Sequence, residues 1–254
     1  MASEHVIKAY DRELDQLNSS IAQMGGLAEA QLANAIQAAV ARDAELGAET
    51  VAADAKIDAL EQEVQNQVVR LLALRQPMAR DLRNIVAALK VSSDIERIAD
   101  YAANVAKRAT ALTLVPAVQP LFTIPRMGSL AQALIKNVLD AYIERDVEKA
   151  RQVWEHDAEL DEAYAGFFRE LLTYMMEDPR NITPCTHLLF IAKNIERIGD
   201  HATNIAETVH FLVEGTPFRE NRPKGDTSSF TVVTPLPPRK PEGKARRGDR
   251  KRKS

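Results

Sequence analysis

The chain has 254 residues, with 33 Lys/Arg against 36 Asp/Glu and only 5% aromatics. That length supports a real hydrophobic core, and its abundant Ala, Leu, Glu, Gln and Arg favour helices because these side chains lose little entropy there. No run of about 18 uncharged apolar residues exists, the charged N-terminus lacks a secretory apolar region, and the single Cys185 excludes an intrachain disulfide framework, so a soluble cytoplasmic protein is expected.

The first helix is predicted over Glu4–Ala41, where Leu14, Leu17, Ile21, Met24, Ala28 and Leu32 follow a three-to-four-residue spacing. Gly25-Gly26 is a soft point within it. Asp43 suits an N-cap for a second helix running to Arg75, with Glu45 in the turn where the helix dipole favours an acid. Pro77 suits the first turn of a third helix that carries Ile85, Leu89, Ile95, Ile98 and Val105 to about Leu112. Residues 113–125 hold Pro116, Pro120 and Pro125 and read as a connector. Three further helical patterns follow: Arg126–Glu144, Asp146 to near Glu177, and from Pro179 to Glu214, stopped by Gly215.

The halves match. Arg42-Asp43-x-Glu45 mirrors Arg145-Asp146-x-Glu148, and Asp54-x-x-x-Asp58 mirrors Asp157-x-x-x-Asp161, both 103 residues apart. DIERIADYAANVA (94–106) mirrors NIERIGDHATNIA (194–206), identical at 8 of 13 positions. The reading is an all-α chain of two three-helix units: 1–115, 116–215, and a Pro-rich basic tail, 216–254, expected to be disordered. That tail holds 12 Lys/Arg and 4 Asp/Glu, so an acidic body carries a basic extension.

Four acid pairs occupy matching places: Asp54/Asp58, Glu96/Asp100, Asp157/Asp161 and Glu196/Asp200. Residues four apart share a helix face, and two carboxylates there repel unless something positive lies between them. A bound cation is one answer; neutralisation by Arg97 and Arg197 is another. A single such pair is ordinarily a solvated face, and it is the repetition that points to a ligand. A helical wheel places Glu96, Asp100 and Asn104 roughly 150° from the apolar face of their helix, directed outward. If the second and third helices are neighbours, their acids converge on a shared groove. Oxygen ligation of this kind suits iron, manganese, magnesium or zinc.

The segments 70–106 and 169–207 resemble the PhoU family of regulators of bacterial phosphate uptake, over about residues 3–215. The resemblance implies two pseudo-symmetric three-helix bundles with surface metal clusters, commonly of iron or zinc. Carried onto this sequence, the ligands are Asp54, Asp58, Glu96, Asp100, Asp157, Asp161, Glu196 and Asp200, with Asn104 and Asn204 secondary. It implies a non-enzymatic negative regulator linking the phosphate ABC transporter ATPase subunit to a sensor histidine kinase, a homodimer, and membrane contact only through partners. Asp94 and Asn194 differ in charge between the repeats, so the two sites need not be equivalent, and the basic tail is outside the family pattern.

Other signals carry less. Glu207-x-x-His210 is a lone di-iron-like motif, the thin basis for an alternative metalloenzyme or metal store. His201, beside Asp200, reads as a surface histidine. Cys185 and His187 have no second pair to make a zinc finger. Arg75, Arg80 and Arg83 read as a solvated face, with a partner or phosphate contact as the alternative, and Trp154 with Phe167-Phe168 as core or interface. Nucleic-acid binding, the third reading, rests on the basic run of the tail alone.

Overall fold

Two tight turns of identical design organise the molecule. Arg42 (φ 55°) and Arg145 (φ 60°) take the left-handed conformation that reverses the chain. The aspartate that follows each one caps the next helix. Asp43 Oδ1 accepts from the Glu45 and Leu46 amides, both at 3.0 Å. Asp146 Oδ1 accepts from Glu148 at 2.9 Å and Lys149 at 3.0 Å. The computed structural model describes residues 2–231 apart from 76, 79, 119–121, 219–221, 223, 227, 229 and 230, and only the backbone of 2–9, 11 and 80.

Six helices result: α1 (Ala2–Ala41), α2 (Ala44–Arg75), α3 (Arg80–Leu112), α4 (Thr123–Glu144), α5 (Val147–Glu177) and α6 (Ile182–Glu214). Among the described residues there is no strand, and no helix is long and apolar enough to cross a membrane. α1 runs unbroken through Gly25-Gly26. Two predicted starts shift. α3 begins at Arg80 and not at Pro77, because the stretch before it makes the reversal, with the Asp81 amide bonded to the Met78 carbonyl at 3.1 Å. α4 begins at Thr123, with Pro125 in its first turn, where no amide hydrogen is needed. Pro179 opens a short 3-10 turn capped by Asp178, and Gly215 (φ 74°) closes α6 with its amide on the Phe211 carbonyl at 2.9 Å.

α2 packs on α1 and α3, and α5 on α4 and α6; the two bundles join along α3–α6 and α1–α4. One apolar core runs through both, and it includes Ile21, Met24, Ile85, Ile98, Ile135, Phe167, Cys185, Ile195 and Ile198. The predicted apolar stripes are the buried ones, apart from Leu89, which is exposed on α3, and this burial is where most of the stabilisation lies. The α3–α6 seam is polar at its rim: His201 Nδ1 lies 2.8 Å from Asp94 Oδ1, and Arg197 donates to the Tyr101 hydroxyl at 3.3 Å. On its two sides the seam opens into clefts, one lined by Lys107, Arg108 and His187, the other by Lys90, Asp94 and Glu207.

The segment expected to be disordered is described at residues 216–218, 222, 224–226, 228 and 231, and its first part lies against α5 and α6. Phe218 stacks on Trp154 with ring centroids 5.1 Å apart. The basic run KARRGDRKRK at 244–253, on which the nucleic-acid reading rests, lies outside the described residues.

Candidate functional site

The seam between the second and third helix of each half is lined with acids. In the first half Asp54 and Asp58 on α2 meet Glu96 and Asp100 on α3. Their charges act on one another: Asp54 feels Asp58 and Asp100, and Glu96 feels Asp100, Glu61 and Asp58. Burial raises the pKa of both Asp54 and Glu96, and the neighbouring carboxylates push the same way. Gln31, buried on α1, donates to Asp54 Oδ1 at 3.1 Å and to the Ala99 carbonyl at 3.2 Å, while its own Oε1 has no partner. Arg97 lies 3.2 Å from Asp100 and 3.5 Å from Glu96, but its side chain is 55% exposed and the pairing is correspondingly weak. Glu61 and Gln31 are the members of this cluster that sequence reasoning missed. Glu61 follows Asp58 by three residues and so extends the same helix face, whereas Gln31 comes from α1 and had no local signal.

The second cluster holds Asp157 and Asp161 from α5 and Glu196 and Asp200 from α6. It is far more enclosed: the Asp157 side chain is 1% exposed and that of Glu196 6%. Burial lifts Asp157 to about 6, against the pull of Arg222. Burial lifts Glu196 to about 7, against the pull of Lys193, whose ammonium is 2.8 Å away. Burial also raises Asp161. Asp157 Oδ1 and Glu196 Oε2 are buried without a hydrogen-bond partner. Gly199 makes this closeness possible, since a side chain there would overlap Asp157 Oδ1 and stand 2.7 Å from Leu160 Cδ2. The matching position in the first half is Ala99.

The wheel directed Glu96 and Asp100, with their counterparts Glu196 and Asp200, outward; the aspartates are 39% and 34% exposed, but the structure corrects the glutamates, whose side chains are only 19% and 6% exposed. The acids line interhelical seams, and the second set is covered. A wheel counts only a helix's own apolar stripe; the cover over Asp157, Asp161 and Glu196 comes from α5–α6 packing and from Arg222, Gly225 and Asp226. Three other expectations are also corrected, for Asn204, His201 and Arg75. Asn204 turns to the α3–α6 seam and donates to Asp94 Oδ1 at 3.3 Å. His201 is a seam residue bound to Asp94 and not a surface histidine. Glu207 accepts from Trp154 Nε1 at 3.3 Å and His210 bonds the Thr216 carbonyl at 2.8 Å, so the Glu-x-x-His pair serves packing. Arg75 makes a two-pronged ion pair with Glu13, both bonds 3.0 Å, and does not stand on a solvated face.

The donor chemistry fits a hard or borderline divalent cation: carboxylate oxygens from two helices, with orphaned acceptors among them. As the side chains stand, no three His, Cys, Asp or Glu among the described residues close on one point as metal ligands. In the second cluster the Arg222 guanidinium lies among the oxygens.

A duplicated all-α bundle with an acidic seam in each half defines the class of protein. A family model described as PhoU domain matches residues 21–109 and again 124–209. The chain belongs to the PhoU family. A relative from Caulobacter vibrioides (strain NA1000 / CB15N), named phosphate-specific transport system accessory protein PhoU homolog, is 51% identical over 89% of this chain and 99% of its own length. A relative of the same name from Rhizobium meliloti (strain 1021) is 45% identical over 92% of this chain and 100% of its own. The crystal structure of PhoU from Pseudomonas aeruginosa superposes with a TM-score of 0.79 at 38% identity, covering 82% of this chain and all of that one. The phosphate transport system regulatory protein PhoU from Streptococcus pneumoniae does so with 0.76 at 26% identity, covering 83% of this chain and all of that one.

Proposed function

We propose that this chain is a cytoplasmic, metal-binding negative regulator of phosphate uptake and phosphate-starvation signalling, acting as an adaptor and not as an enzyme. The observation that carries the reading is the match, over 89% of the chain, to a relative named as an accessory protein of phosphate-specific transport. Its partners are the ATPase subunit of the phosphate ABC transporter, a phosphate-sensing histidine kinase and a second copy of the chain. Leu74 and Met78, 64% and 80% exposed at the α2–α3 reversal, support a role in protein contact.

The metal part of the proposal rests on the paired seams. Asp54, Asp58, Glu96 and Asp100 hold one site and Asp157, Asp161, Glu196 and Asp200 the other, for iron or zinc, with manganese and magnesium chemically compatible. A bound cation ties together two helices whose acids otherwise repel. This chain's own residues set the terms. Gln31 orients Asp54, Gly199 lets α6 approach Asp157, and Arg97 and Lys193 hold part of the negative charge in the absence of metal.

The adaptor reading is tested by capture on the tagged full chain from cells grown with and without phosphate, scored for the transporter ATPase and the sensor kinase. Recovery of both is expected. Absence of both from phosphate-replete cells overturns the reading.

A further inference from the structure

The two carboxylate clusters differ in one respect that neither the repeat nor the family match explains: the second is already filled by the chain itself. The segment responsible begins just after α6, beyond residue 209 where the family match ends. Phe218 anchors it, stacked on Trp154 and 4.1 Å from the His210 ring centroid. Arg222, with a side chain only 14% exposed, then reaches into the cluster. Its guanidinium bonds Asp157 Oδ2 and lies 2.8 Å from Asp200 Oδ1.

Two further contacts close the segment down. The Gly225 amide donates to Asp161 Oδ2 at 2.9 Å, and a side chain at Gly225 would stand 2.9 Å from the Ala158 carbonyl and 3.0 Å from Asp161 Cβ, so the backbone approach needs glycine. Asp226 lies 3.3 Å from the Lys193 ammonium that also holds Glu196. All four carboxylates of the second cluster are thus engaged, three by the segment directly and Glu196 through a lysine that the segment also grips. Among the described residues the first cluster has Arg97 at its rim and no comparable cover.

We propose that the segment bearing Phe218, Arg222, Gly225 and Asp226 is a tethered strap whose Arg222 guanidinium occupies the place of a cation in the second cluster. The inference rests on the metal reading above. A guanidinium and a divalent ion cannot share the Asp157 carboxylate, whose side chain is 1% exposed. A tethered cation competes at the high effective concentration its linker gives it, so the second cluster takes a metal only when the strap lifts. The apparent affinity is then the intrinsic affinity reduced by the fraction of molecules with the strap open. The first cluster binds without that competition.

The test uses the full chain and Mn2+, counted by electron paramagnetic resonance of the free ion. Asp100→Asn disables the first cluster, so that the second is read alone. Adding Arg222→Gln to it is expected to tighten Mn2+ binding by about tenfold or more, the gain from opening a strap closed in about nine-tenths of molecules. Arg222→Lys, which keeps the charge but loses the planar fork, is expected to fall between. Circular dichroism confirms that each variant keeps its helices. Mn2+ bound to the first cluster of the unsubstituted chain, with no gain from Arg222→Gln, overturns the strap alone. Absence of Mn2+ from the unsubstituted chain and every variant overturns the metal reading, and the strap's competitive role with it.

Discussion

Gly199 of α6 and Asp157 of α5 face each other with no room for a methyl group between them. Gly199→Ala therefore has to push the helices apart or turn Asp157 aside. We expect a loss of about 1–3 kcal/mol, the usual cost of overpacking a tight interior. Thermal denaturation reads it. Ala99→Gly, the reciprocal change in the first half, should cost only about 1 kcal/mol through helix propensity. Equal and small effects at both positions would show that the close approach is not tight.

Gln31→Leu removes the donor that Asp54 and the Ala99 carbonyl share. Asp54 is half-buried and the Ala99 carbonyl keeps its helical partner, so the loss of these two hydrogen bonds is expected to cost about 1 kcal/mol. The Asp54 carboxyl should titrate at higher pH as well, because the hydrogen bond from Gln31 is what pulls its pKa down against burial. Chemical denaturation and carboxyl-resolved NMR titration check the two effects separately.

Asp100→Ala combined with Asp200→Ala should lose bound metal while keeping helical content. Both acids are on the rims of their seams, so neither supports the core. Elemental analysis of the purified protein is the readout, and an unchanged metal stoichiometry defeats the ligand assignment.

Tyr142 gives the protein an alkaline limit. Burial raises its pKa from 10.0 to about 12, and its hydroxyl donates to Asn18 at 3.2 Å. The folded pKa is above the unfolded one, so the folded state binds more protons between these values. The contribution is complete below pH 10 and is lost as pH rises to about 12, on the order of 2–3 kcal/mol in total. Tyr142→Phe should flatten the fall in stability across that window, measured by denaturant midpoints at successive pH values.

Trp154 is the sole tryptophan and therefore a clean reporter. Phe218→Ala removes the ring stacked on it and should shift its emission to longer wavelength and increase quenching by acrylamide. Unchanged fluorescence would mean that Phe218 does not rest there in solution.

Much of this architecture was legible because it is periodic. The stripes through Ile21, Met24 and Leu32, and through Ile85, Ile95 and Ile98, named the buried faces, and the aspartates after Arg42 and Arg145 named the caps. Repetition also brought out the four acid pairs. What the pattern did not carry was anything contributed by a distant part of the chain. Gln31 reaches Asp54 across 23 residues and Arg222 reaches Asp157 across 65, and neither contact leaves a local periodic trace. Residues 216–254, with six prolines and a basic run, read as disorder because they cannot form an apolar face. Three of the described residues of this segment dock instead, through the Phe218 ring, the Arg222 guanidinium and the Gly225 amide. A basic segment following an acidic body was the available clue, and it concerned charge and not pattern.

The Asp94–His201 bond across the α3–α6 seam has no counterpart, because the mirrored positions are Asn194 and Tyr101. In an assembly of two identical chains every substitution appears on both sides of the axis. Here the two halves are joined in one chain, so each was free to change without its twin. The pair of clefts flanking the seam shows the result, with Lys107, Arg108 and His187 on one side and Lys90, Asp94 and Glu207 on the other. The molecule thus has a head and a tail under an outwardly balanced shape. A charged partner meeting this seam finds one correct way round.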